Sequence, residues 1–134
     1  MSAEGDVTYV DSSAIVKLVV SEPESAALRR DLARRRELVT SALARTEVAR
    51  ALLALGPEAQ RRGEAVLRTM QVMRMNDRVL GDAGRLAPVE LRSLDAIHLA
   101  SARQLGATLK RIVTYDTRMA QAARELGFSV VSPV

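Results

Sequence analysis

The chain has no cysteine at any of its 134 positions. That excludes disulfides, thiolate zinc sites and cysteine nucleophiles together, and it fits a reducing compartment such as the cytoplasm. Aromatic side chains are nearly as scarce: Tyr9, Tyr115 and Phe128 are the whole set. RNA modules that read sequence stack bases on exposed aromatic platforms, and three scattered rings cannot build one. Both tyrosines lie in strand-like runs close to an acid, which favours core over platform. The single histidine, His98, cannot supply a zinc triad. Neither common glycine-rich phosphate loop nor a Gly-x-Ser-x-Gly elbow occurs. No apolar stretch approaches the roughly 20 residues of a membrane span. The start, Met1-Ser2-Ala3-Glu4-Gly5-Asp6, lacks the basic-then-apolar order of a signal peptide. These absences predict a soluble, cytoplasmic protein with no membrane contact. Residues 1–6 are expected to be a flexible start, and 1–134 one domain large enough to fold without staples.

Lysine is almost missing as well, yet eighteen arginines beside Lys17 and Lys110 bring the net charge to +4 and the pI to about 10.3. A basic balance suits polyanionic partners such as nucleic acid. A GC-rich coding bias produces the same excess of arginine and alanine, so charge admits RNA without selecting it. The densest cluster, Arg29, Arg30, Arg34, Arg35 and Arg36, shares a predicted helix with Asp31 and reads as a solvated face.

Short apolar, β-branched runs alternate with helical periods. Val7–Val10, Glu37–Thr40, Gln71–Met75, Arg111–Tyr115 and Phe128–Val131 read as strands. Helices are predicted over Ser13–Val20, Pro23–Arg36, Ser41 to about Leu55, Glu58–Met70, Asp77–Leu86, Ser93–Leu105 and Thr117–Leu126. Gly56-Pro57, Gly106 and Gly127 supply stops. Alternation of this kind predicts an α/β fold, a three-layer α/β/α sandwich around a parallel sheet of four or five strands. Met70, Met73, Met75 and Met119 read as core filler.

Four acids fall at element boundaries or on apolar helix faces. Asp11 and Asp116 follow strands and precede helices, Asp95 sits in a first helical turn, and Glu47 shares a helix face with Leu43 and Ala51. Ligands in open α/β sheets bind at the carboxyl edge of the strands, where these acids are expected to meet. Each acid singly also has a structural reading: Asp11 and Asp116 as turn or cap residues, Asp95 as a match to the helix dipole, Glu47 as partner of Arg50. Together they would repel, since two charges ~4 Å apart at an effective dielectric of ~20 cost about 4 kcal/mol. Single acid-to-amide changes are therefore expected to leave the metal-free chain as stable or make it more so. Hard oxygen donors select Mg²⁺ or Mn²⁺, and such ions activate water for in-line attack on phosphodiesters. His98, one turn after Asp95, reads as a structural or aspartate-paired residue or as a hydrogen-bond partner behind the acids.

Four strings carry a resemblance. Tyr9-Val10-Asp11-Ser12-Ser13-Ala14, Ala44-Arg45-Thr46-Glu47-Val48-Ala49-Arg50-Ala51-Leu52, Leu94-Asp95-Ala96-Ile97-His98-Leu99-Ala100 and Val113-Thr114-Tyr115-Asp116-Thr117-Arg118-Met119 stand in that order. The succession resembles PIN-domain proteins, more narrowly the VapC toxins of bacterial and archaeal toxin–antitoxin pairs, from about Val7 to Ser132. The third string is the most specific. The resemblance implies a Mg²⁺- or Mn²⁺-dependent endoribonuclease that cuts RNA and is held inactive by a small cognate antitoxin protein. It implies that Asp11, Glu47 and Asp95 hold the metal and that Asp116 acts through water or on a second ion. Ser12 or Ser13 would assist near the first acid, and Thr114 would orient the last. It further implies a homodimer, and an antitoxin tail lying in an apolar groove, for which the helices carrying Ala14 to Val20 and Ala26 to Leu32 are candidates; the same residues also suit plain core.

Two other functions remain to be weighed against this one. A non-catalytic basic α/β domain that binds RNA or protein would use the same acids only as caps and ion pairs. A phosphoacceptor receiver domain needs an adjacent acidic pair and a lysine ending a late strand. Lys110 precedes its strand and no such pair follows the first one, which disfavours it.

Overall fold

The computed structural model describes residues 5–35 and 37–134. Most of the expected flexible start, residues 1–4, and one member of the arginine cluster, Arg36, lie outside the described residues. Gly5, by contrast, is tied down, its amide donating to the Ala107 carbonyl at 3.0 Å.

Five strands form one sheet: β1 (Val7–Val10), β2 (Glu37–Ser41), β3 (Gln71–Met73), β4 (Leu109–Val113) and β5 (Val130–Val131). Their order is β3-β2-β1-β4-β5 and every pairing is parallel. The first chain segment thus occupies the centre, and all five strands end at the same edge. The helices are α1 (Ser12–Val19), α2 (Ser25–Ala33), α3 (Leu43–Leu52), α4 (Pro57–Leu67), α5 (Asp77–Gly84), α6 (Ser93–Gln104) and α7 (Thr117–Glu125).

The period-two geometry of a strand divides the core. Val10 and Val113 join Ile15, Leu28, Val48 and Leu52 in a cluster beneath α1 to α4. Val7, Tyr9 and Ile112 join Leu99, Met119 and Ala123 in a second cluster beneath α6 and α7. All four β1 residues are buried, as a central parallel strand covered on both faces requires. The result is the three-layer sandwich expected, with the larger of the two expected strand numbers.

Element ends depart from expectation where side chains compete for backbone groups. The helix expected from Pro23 starts at Ser25 and ends at Ala33. Ser25 explains the start: its hydroxyl donates to the Lys17 and Val20 carbonyls and accepts from the Glu22 amide, holding residues 20–25 in a turn. The helix expected to run to Leu55 changes to a 3₁₀ turn over Leu53–Leu55 before Gly56, whose φ is 93°. Ser93 is the first residue of α6, as expected, and Arg92 holds the cap position without a side-chain bond. The third strand stops at Met73 because Asn76 caps α5, its Oδ1 accepting from the Val79 amide.

The apolar residues of α1 and α2 are mostly core: Ala14, Ile15, Val19, Leu28 and Leu32 are buried, while Val16, Leu18 and Val20 are half-buried. Among the described residues, Arg111 of β4 is the one basic side chain in the buried polar groups apart from His98. Its Nη2 lies 2.7 Å from Asp31 Oδ2 on α2, and Asp31 Oδ1 accepts from Arg35 at 2.7 Å. This ion pair ties α2 to the sheet, and the two arginines hold the Asp31 carboxyl below its ordinary range although burial acts the other way. Removing one partner of a buried pair strands the other charge. Arg111→Met is expected to cost about 2 kcal/mol in urea unfolding, short of the full penalty because Arg35 stays. Arg35→Met, which leaves Arg111 in place, is expected to cost less than half as much.

Candidate active site

The carboxyl edge of the central strands carries Asp11. Its amide donates to the Val113 carbonyl at 3.1 Å, stitching the ends of β1 and β4. Its side chain, only 4 % exposed, is the N-cap of α1: Oδ1 accepts from the Ala14 amide at 3.0 Å and from Ser13 Oγ at 2.7 Å. Oδ2 accepts from Thr114 Oγ1 at 2.6 Å. The capping role therefore belongs to the acid itself, not to the hydroxyls after it.

Asp116 repeats the pattern one strand away. It is the N-cap of α7, with Oδ1 accepting from the Arg118 and Met119 amides at 3.0 and 3.2 Å. Ser13 and Thr114 join the two loops: Ser13 Oγ accepts from the Tyr115 amide at 2.9 Å, and Thr114 Oγ1 accepts from the Asp116 amide at 3.1 Å. Asp95 lies in the first turn of α6, as expected. The Arg92 guanidinium sits between these last two acids, with Nε 3.3 Å from Asp95 Oδ2 and Nη2 3.3 Å from Asp116 Oδ2.

Glu47 comes from α3 on the other side of the sheet. Its partner is not Arg50. Oε1 accepts from His98 Nε2 at 2.7 Å and from Ser12 Oγ at 2.5 Å. His98 is buried, and its Nδ1 lies 2.7 Å from the Tyr9 hydroxyl. The aspartate-paired reading of His98 thus gives way to a glutamate-paired one, because the ring points inward to the strand ends and not along its own helix to Asp95. Tyr9 is wholly buried and Tyr115 packs against the core with its hydroxyl on the Pro133 carbonyl, so neither ring is a stacking platform.

Asp11, Glu47, Asp95 and Asp116 line a single recess of about 430 Å³ together with Ser12, Ser13, Arg92 and His98. A larger hollow, about 550 Å³ between α3 and α4, has a floor of Val48, Leu52, Leu67 and Met70 and one acid, Glu64. Its chemistry is that of an apolar groove.

Electrostatics in the small recess are uneven. Burial pushes the Asp11 carboxyl above its ordinary 3.8, against the hydrogen bonds from Thr114, Ser13 and the Ala14 amide. Burial and then the Asp116 charge push Asp95 up too, with Arg92 opposing. Glu47 goes the other way: burial acts to raise it, and the bonds from His98 and Ser12 outweigh that and hold it below its ordinary 4.5. Burial also drives the Tyr9 phenol well up. Among the described residues no three acidic or histidine side chains close on one point as they stand. The donor set nonetheless suits a hard divalent cation, being all carboxylate, with two members, Asp11 and Asp95, whose charged form burial disfavours.

Residues 8–125 match the PIN domain. The chain belongs to the PIN-domain family. A relative from Mycobacterium tuberculosis, Ribonuclease VapC46, is 56% identical over 125 residues, covering 93% of this chain and 96% of that protein. This PIN domain also superposes on VapC20 of the same organism, a Sarcin-Ricin loop cleaving toxin, with a TM-score of 0.76 at 20% identity, covering 94% of this chain and 99% of that one. A toxin-antitoxin complex from Klebsiella pneumoniae gives 0.73 at 19% identity, covering 95% and 98%. These likenesses below 25% identity establish the fold, which is the PIN fold read from the four motifs.

Two residues in and behind the recess, Arg92 and Tyr9, take places that the sequence reading does not give them. Arg92 stands three residues before Asp95 and Tyr9 two before Asp11, spacings that share a helix face and a strand face with the acids. For His98 the structure selects the reading of a hydrogen-bond partner behind the acids, and the acid is Glu47.

The two caps alter what substitution should do. Asparagine keeps an acceptor where alanine does not, so Asp116→Ala is expected to lower stability by about 1 kcal/mol in metal-free urea unfolding and Asp116→Asn by a few tenths. The pH response of the metal-free protein has a definite sign for each acid. Asp11, raised above 3.8, stabilises fully below that unfolded value, and the contribution is lost as pH rises through the native one. Glu47, lowered from 4.5, stabilises above that value and the contribution is lost as pH falls through the native one. With chelator present, wild-type stability relative to Asp11→Asn should decline with rising pH, and relative to Glu47→Gln should grow.

Proposed function

We propose that this PIN domain is a divalent-metal-dependent endoribonuclease, the toxin of a toxin–antitoxin pair, with residues 1–134 acting as one domain in the cytoplasm. The activity class rests on family membership and on a relative of similar length named as a ribonuclease. The observation that carries the site is the convergence of four acids from four separate segments on one recess at the carboxyl edge of a parallel sheet.

Asp11, Glu47 and Asp95 would hold Mg²⁺ or Mn²⁺, with Asp116 acting through water or on a second ion. When bound, the ion supplies activation of water and stabilisation of the leaving oxygen. The water oxygen would bond to phosphorus and give up a proton as the bond to the leaving sugar oxygen breaks, and that oxygen would take up a proton in turn. Ser13 and Thr114 keep Asp11 and Asp116 in register by the bonds that join their loops, a fixing role in place of a direct one. Arg92, the guanidinium that lines the recess, would be placed to meet a phosphate oxygen. RNA recognition then falls to arginine and shape, since neither tyrosine is free to stack bases.

The partner of the toxin would be a small antitoxin protein, in keeping with the toxin-antitoxin complex that shares this fold. The protein would act as a homodimer, which light scattering would check. Among the described residues no helix is long and apolar enough to cross a membrane.

One observation favours the non-catalytic reading: each acid has hydrogen-bond or ion-pair partners within the protein. Cleavage decides between them. Structured RNA should be cut with Mg²⁺ and spared with chelator, and Asp11→Asn or Asp95→Asn should lower the rate on the order of 100-fold or more. Cleavage that survives both substitutions, or a Mg²⁺ titration with no stabilisation of the protein, overturns the enzyme.

A further inference from the structure

Glu47 is the odd member of the acidic set. Asp11 and Asp116 are pinned by backbone amides at helix starts, and Asp95 sits at the start of α6. Glu47 instead stands in the middle of α3, more than a turn from either end, on a side chain with one more rotatable bond than an aspartate. No backbone amide can reach it there, because mid-helix amides are spent within the helix. Something else has to fix its direction.

We propose, resting on the metal-dependent reading above, that Tyr9 and His98 are positioning residues that clamp Oε1 of Glu47 and leave Oε2 to a divalent cation. A carboxylate only accepts hydrogen bonds, so His98 Nε2 carries the proton in the 2.7 Å contact with Oε1. The Tyr9 hydroxyl, a phenol that is protonated at neutral pH, donates to Nδ1 at 2.7 Å and so selects that tautomer. Burial restrains the ring: His98 is 2 % exposed and meets the Tyr9 ring edge-on, centroids 5.8 Å apart at 79°. Ser12 Oγ donates to the same oxygen, Oε1, so both donors described for Glu47 converge on one atom. Glu47 still lines the recess, which makes Oε2 the oxygen left for a ligand.

The relay also crosses the sheet edge. Tyr9 and His98 belong to the core beneath α6 and α7, whereas Glu47 projects from α3 in the layer that covers the opposite face. A hydrogen bond from behind a metal-binding side chain typically tunes metal affinity or activity 10–100-fold. Here it would set where the acid from one layer stands relative to the acids of the other.

The test uses the full chain and Mn²⁺ alone, followed by electron paramagnetic resonance without RNA, together with the Mg²⁺ dependence of RNA cleavage. Tyr9→Phe keeps shape and burial and removes one hydroxyl. His98→Gln offers an amide donor in place of Nε2, and His98→Ala offers none. The expected result is a weakening of Mn²⁺ binding by about 10-fold for His98→Ala, less for Tyr9→Phe, and partial recovery in His98→Gln. The Mg²⁺ concentration for half-maximal cleavage should rise in the same order, with much of the rate regained at saturating metal. A purely structural pair would lower the melting temperature and leave the Mn²⁺ affinity where it was, which overturns the proposal. Tighter Mn²⁺ binding in the variants overturns it as well, since His98 would then be holding Glu47 away from the ion. Asp11→Asn serves as the control. If that variant binds Mn²⁺ and cleaves like the wild type, the metal-dependent reading itself has failed. If it loses both while Tyr9→Phe and His98→Ala keep both, only the positioning role is refuted.

Discussion

The buried carboxylate of Asp11 is the joint on which this molecule depends. One side chain caps α1, closes onto Ser13 and accepts from Thr114 at the end of the neighbouring strand, while its amide bonds to Val113. Folding has to desolvate a charge to make that joint, and the burial cost exceeds what the three donors return, which is why the carboxyl is pushed up. A structure that tolerates an uncomfortable charge at the meeting point of its two central strands holds a group that gains from a cation. The cap contacts and the exposure to the recess belong to the same side chain, so a structural role for Asp11 does not exclude a chemical one.

The rest of the recess manages charge by borrowing donors. Arg92 stands between Asp95 and Asp116, and His98 with Ser12 covers one oxygen of Glu47. These arrangements differ in permanence. Arg92 has a largely exposed side chain with contacts of 3.3 Å, the weak kind of pair that solvent and salt screen. His98 is buried between Tyr9 and Glu47 with contacts of 2.7 Å and is not displaced without unpacking α6. The site thus combines a loose cation that can yield with a fixed relay that cannot.

Element boundaries shifted wherever a side chain outcompeted the backbone. Ser25 delayed a helix for which Pro23 was the natural first residue, and Asn76 ended a strand by capping α5. Such competition between side chain and backbone is local in sequence, yet its outcome depends on where the Lys17 carbonyl or the Val79 amide lies after folding. A serine or asparagine therefore marks a candidate boundary without selecting it.

The amino-acid order by itself determined the alternation of strand and helix periods, the parallel sheet that this alternation demands, and the placement of four acids at strand ends or on inward helix faces. Those are properties of spacing, and spacing is legible along a chain. Tertiary structure alone decided who partners whom inside the recess: that Glu47 meets His98 and not Arg50, that Tyr9 stands behind the histidine, and that Arg92 spans two acids twenty-one residues apart in sequence. Periodicity says which face a side chain leaves from. It does not give the distance to a donor arriving from another layer, and hydrogen bonds are decided within a few tenths of an ångström.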